Sequence, residues 1–77
     1  MPNVGHDGFT DLNNLTTRSG LYYFGIINNV PEPYVAVLNI VSKPDVLQIA
    51  FAMSSAKIYR RRHSSTSWTS WAVINFA

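Results

Sequence analysis

From residue 21 to residue 74 the chain never runs more than eight residues without a turn signal. Asn28-Asn29, Pro31 and Pro33, the SKPD stretch at 42–45, Ser54-Ser55 and the SSTS stretch at 64–67 interrupt it in turn. An ordinary helix of about 11 residues has no room between such stops. Strands of about 5–6 residues fit easily. The segments between the stops are rich in aromatic and β-branched residues, so strands are what they form.

Five strands follow from this spacing. LYYFGII (21–27) is the first, and Gly25 within it marks a bulge or a close backbone approach. YVAVLNIV (34–41) carries bulky residues at both even and odd positions, so both of its faces call for burial, in a sheet centre or at a subunit contact. In VLQIAFAM the residues Leu47, Ile49, Phe51 and Met53 form a large apolar face, and Gln48, Ala50 and Ala52 form a small one. AKIYRRRH (56–63) and WTSWAVI (68–74) complete the series. Pro44 suits a type I or II turn in SKPD. Ahead of the strands, Thr10 or Asp11 caps a helical turn in which Leu12 and Leu15 share a face. The fold class expected is mainly β: a small antiparallel sheet or sandwich of about five strands after one short N-terminal helical turn. Residues 1–9, with Pro2, Gly5 and Gly8, read as a lead-in, and residues 10–77 as one β domain.

A chain of 77 residues gains from apolar burial about what it loses in conformational entropy. Small domains close that gap with disulfides, a metal or self-association. There is no cysteine, and His6 and His63 have no closely spaced His, Asp or Glu partners, so a homo-oligomer is expected. The N-terminus lacks the charged and apolar regions of a secretory signal, and no apolar run is long enough to span a bilayer. No membrane insertion is expected.

The segment IYRRRHSSTSWTSW (58–71) gathers cations beside aromatic residues. Net charge is only +2, with three of the six Lys and Arg residues at Arg60, Arg61 and Arg62, so the basicity is local. Strand alternation puts Arg60 and Arg62 on one face with Ile58, and Arg61 on the other with Lys57 and Tyr59. Arg60 and Arg62 thus offer a pair of guanidinium forks to phosphate or carboxylate groups. In a regular strand Trp68 and Trp71 face opposite ways, one into the core and the other exposed or at an interface. Trp68, Tyr34 and Tyr59 are candidates for stacking on sugar rings. The plainer reading is packing for the aromatics and a solvated sheet edge for the charges.

Catalysis finds no support in these residues. Asp7, Asp11, Glu32 and Asp45 each lie in or beside a turn with no paired carboxylate, and the serines have no nucleophile elbow. Gly5, Gly8, Gly20 and Gly25 make no phosphate-cradling loop, and no cofactor is expected.

The order of residues Asp11, Leu12, Asn13, Leu15, Gly20, Tyr22, Gln48, Ile49, Lys57, Ile58, Tyr59, Trp68 and Trp71 resembles the knob modules of bacteriophage tail fibres and R-type pyocin fibres, over residues 11–74. The family's usual glycine near position 55 or 56 is replaced by Ser55 and Ala56, and its loop by NNVPEPY. The resemblance implies a non-catalytic, homotrimeric receptor-binding module of a virion tail fibre, acting outside the host at its surface polysaccharide or lipopolysaccharide. Arg60, Arg62, Tyr59, Trp68 and Tyr34 are the expected ligand-binding residues. The alternatives are a purely structural trimerisation or spacer module, and a small single-stranded nucleic-acid binder using Arg60, Arg61 and Arg62 on the backbone and Tyr59 or Trp68 on bases.

Overall fold

A computed structural model describes residues 9–74. The expected lead-in, apart from Phe9, and the last residues of the chain lie outside that range. The described residues form one antiparallel sheet and a single 3-10 turn, Leu12–Asn14. The strands are β1 (Gly20–Phe24), β2 (Val35–Ser42), β3 (Asp45–Ala52), β4 (Ile58–Ser64), β5 (Ser67–Trp68) and β6 (Ala72–Val73). Their spatial order follows the chain from β1 to β5, and β6 also pairs with β4. The mainly β, antiparallel expectation therefore holds, as one sheet rather than a sandwich.

The differences from the expected strands have local causes. β1 stops at Phe24, so Gly25 lies past the strand and not inside it. There the Gly25 carbonyl accepts a hydrogen bond from the Tyr34 amide at 3.0 Å, which closes the loop carrying Pro31 and Pro33. A Cβ on Gly25 would meet the Tyr34 ring at 3.7 Å, ordinary contact, so the close approach is that of a side chain lying over the backbone. The Lys43–Pro44 peptide is cis, with Pro44 third of the four residues Ser42 to Asp45, where a cis proline sits in a turn. This replaces the trans type I or II turn. The last expected strand is split in two.

Among the described residues, only one face of the sheet is covered. The segment around the 3-10 turn and the 25–34 loop lie on it, and they are tied together where the Leu12 amide bonds Asn28 O at 3.0 Å and the Asn28 amide bonds Thr10 O at 3.1 Å. Asp11 is the cap, its carboxylate accepting from the Asn13 amide at 2.9 Å. Leu12 and Leu15 are both fully buried and join Tyr22, Phe24, Val35, Val37, Ala50 and Ala52 in the core. The Tyr22 and Phe24 rings stack at 6.2 Å, and Phe9 meets Phe24 edge-on at 6.5 Å. This explains the two-sized pattern of β3. Its small residues, Ala50 and Ala52, face inward because the rings and the two leucines already fill the space above them. Leu47, Ile49, Phe51 and Met53 are left on the outside.

The β3–β4 loop closes with Ala52 N donating to Lys57 O at 2.9 Å, and Ala56 adopts a φ of 60°. A Cβ makes that left-handed conformation cost about 1–2 kcal/mol. Ala56→Gly is therefore expected to raise stability by about 0.5–1 kcal/mol, since the more flexible unfolded chain offsets part of the gain. Leu12→Ala is expected to lower it by about 2–5 kcal/mol. Urea unfolding of the three proteins checks both signs.

Candidate functional site

β4 carries the arginine run, and its alternation separates the three side chains as expected. Arg60 and Arg62 are exposed on the outer face, and Arg61 is buried. Across the ladder Arg61 lies opposite Gln48, which lies opposite Asn39. The three form a continuous polar row inside an otherwise apolar sheet. Asn39 Nδ2 donates to the Arg18 carbonyl at 2.7 Å, Gln48 Nε2 to Asn39 Oδ1 at 3.0 Å, and Arg61 Nε to Gln48 Oε1 at 2.7 Å. Arg61 Nη1 reaches Asn13 Oδ1 at 2.7 Å and so fastens the 3-10 turn to β4. A buried polar group is costly unless partnered, and the row partners each residue through the next, except that the Arg61 Nη2 is buried without a hydrogen-bond partner.

The tryptophans correct the expectation of opposite faces. Ladder pairs His63–Trp68 and Arg60–Ala72 enclose two residues on β4, Arg61 and Arg62, but three on the facing segment, Thr69, Ser70 and Trp71. The extra residue is a β-bulge, which breaks the alternation. Thr69 holds it, its amide donating to Arg62 O at 2.8 Å and its hydroxyl accepting from the Arg62 amide at 2.9 Å. Both indoles consequently reach the same cation. The Arg61 guanidinium carbon lies 3.9 Å from the Trp68 ring centroid and 4.6 Å from that of Trp71. Such cation–π contacts strengthen when water is excluded. Trp71 is fixed from its far end by Nε1 donating to Asn29 O at 2.8 Å, and Trp68 packs beside His63 at 5.0 Å.

Burial pushes the Arg61 pKa down to about 10, with the Asp11 carboxylate opposing the shift, so the side chain stays a cation at neutral pH. Asp11 is held below its ordinary value first by the Asn29 side-chain hydrogen bond and then by the Asn13 amide. A second polar group closes the other end of the sheet. Glu32 accepts from Tyr59 OH at 2.6 Å and from Ser55 Oγ at 2.9 Å. The Tyr59 bond lowers the Glu32 pKa, and the same bond raises that of Tyr59.

The five expected ligand-binding residues do not converge. Tyr59 lies half-buried on the inner side, hydroxyl on Glu32 and ring edge-on to Trp71. Trp68 is half-buried over Arg61, and Tyr34 stands 57% exposed at the loop end of β2. Arg60 and Arg62 share the opposite, outer face, about 7 Å apart along the strand. The sequence reading missed Arg61 as the centre of the inner cluster. Its signal was two polar residues, Asn39 and Gln48, inside apolar strands. Among the described residues, no group of three or more His, Cys, Asp and Glu is placed to hold a metal, and no helix is long and apolar enough to cross a membrane. Comparison of the chain with protein families, with curated proteins and with solved structures finds no match.

Gln48→Leu leaves the buried Arg61 charge without its Nε acceptor and is expected to cost about 3 kcal/mol or more, because the orphaned donor is charged. Arg61→Met leaves only neutral acceptors unpaired and is expected to cost about 1–3 kcal/mol, so the two fall in that order in chemical unfolding. Glu32 and Asp11 have folded pKa values below the ordinary 4.5 and 3.8, so the stability they give is present above those values and lost as the pH falls through the folded ones. In Glu32→Gln the stability profile between about pH 5 and pH 3 is expected to be flatter than in the parent.

Proposed function

We propose that this chain is a non-catalytic, homotrimeric module of a tail fibre that attaches to an anionic glycan on a bacterial surface, acting extracellularly as part of a virion. The observation that carries the attachment is the exposed pair Arg60 and Arg62, on a face where no described carboxylate lies opposite them: their ladder partners are Ile49 and Leu47. Guanidinium forks at that spacing suit phosphate or uronate groups, and each charge-assisted bond contributes about 1.5–3 kcal/mol. Repetition over three copies multiplies weak single contacts. The resemblance of residues 11–74 to fibre knob modules supports the setting. Tyr34 is the aromatic residue among the five that remains open to a sugar ring, since Tyr59 and Trp68 are occupied within the chain.

That occupation favours a second reading, a spacer that trimerises and positions a neighbouring tip. It disfavours nucleic-acid binding, for which exposed arginines and stacking rings should share a surface: Arg60 and Arg62 lie on the face opposite Tyr59 and Trp68, and Arg61, on their side, is buried.

Adsorption of fluorescently labelled protein to cells and to purified lipopolysaccharide separates these readings. Binding that falls about tenfold or more in Arg60→Ala/Arg62→Ala, and that weakens with salt, is the expected outcome. Absence of adsorption to any surface glycan would leave the spacer.

A further inference from the structure

The outer face of the sheet is built from large apolar side chains in register. One ladder row runs Leu21, Leu38, Ile49, Arg60, the next Tyr23, Ala36, Phe51, Ile58, and the third Ile40, Leu47, Arg62. Tyr23 is 43% exposed, Ile40 39%, Leu47 38%, Phe51 36% and Met53, just past β3, 62%. Together these amount to a contiguous patch on the order of 500 Å², the size at which exposed apolar surface marks an interaction site.

We propose that this face, on β1, β2 and β3, docks against the same face of further copies of the chain, with Arg60 and Arg62 forming the rim. Two observations favour a second copy as the occupant. A glycan needs hydrogen-bonding groups, and the centre of the patch offers none from its side chains apart from the Tyr23 hydroxyl. The patch also has both halves of a fit: Ala36, 5% exposed, makes a hollow between Tyr23 and Phe51, and Leu47 and Phe51 stand as knobs. Sheet faces of this kind interdigitate at about 10 Å. Patch and rim together approach the roughly 800 Å² per partner of a stable interface. Each copy then adds its own Arg60 and Arg62 to the edge of the shared contact, which completes the anion site of the preceding reading. The inference rests on the self-association in that reading and not on its glycan.

Sedimentation of the full 77-residue chain tests it. The parent is expected to be a closed multimer at about 50 µM, and Leu47→Lys and Phe51→Lys are expected to raise the dissociation constant at least about tenfold while keeping the parent's far-ultraviolet circular dichroism. The absence of cysteine gives a second readout that does not require a disruptive charge. In Ile40→Cys the thiol is expected to react with a maleimide at least about fivefold more slowly than in Lys57→Cys, and the protection is expected to vanish on dilution. A monomeric parent at 50 µM, unchanged sedimentation of folded Leu47→Lys, or equal labelling of the two thiols would overturn the proposal. Loss of glycan adsorption with assembly intact would count against the preceding reading alone.

Discussion

A sheet has two faces, and the described residues beside it cover one. The cover is the segment around Leu12 and Leu15 together with the 25–34 loop, pressed onto Tyr22, Phe24, Val37 and the small residues of β3. Everything else in the molecule follows from that asymmetry. β3 turns its alanines toward the cover because bulky rings and leucines already occupy the space, and its large residues are left pointing the other way. A domain normally packs two layers around one core. Here the second layer is thin and irregular, so it needs fastening by something other than area.

The fastening is polar. Arg61 joins β4 to Gln48, to Asn13 in the 3-10 turn and to the faces of two tryptophans. Burying its charge is costly, and what offsets the cost comes from separate parts of the chain: acceptors for Nε and Nη1 on β3 and in the turn, and two ring faces from the bulged segment, with Nη2 left unpartnered. The same side chain therefore reports whether all three are in place. Trp71 extends the tie to the loop through Asn29, and Glu32 does so again through Tyr59 and Ser55. These contacts use up Tyr59 and Trp68, two of the three aromatic residues that a surface reading would spend on a ligand, and they leave the outer face to Arg60, Arg62 and the apolar rows.

The strands were legible because turn residues punctuate them at strand length, and the capped turn because Asp11 precedes two leucines three apart. The separation of Arg61 from its neighbours followed from alternation alone. The bulge was not legible. A period of two assigns Trp68 and Trp71 to opposite faces, and nothing in WTSW announces the extra residue that brings them together. Nor did the sequence say that Asn39, Gln48 and Arg61 align, since that depends on the registers of two hairpins set by loops whose geometry, a cis proline in one and a left-handed alanine in the other, composition does not reveal. The division of the expected site residues between two faces has the same origin.

What the proposed function and the docking face both rest on is the proposal that the outer apolar face meets another copy in solution. Small-angle X-ray scattering of the unmodified chain measures it without any substitution. The account predicts a forward-scattering mass that is a small whole multiple of 8.6 kDa and a radius of gyration well above the 11.6 Å of a single copy. A mass of one chain, with the radius of one chain, at concentrations where sheet faces should associate would contradict it.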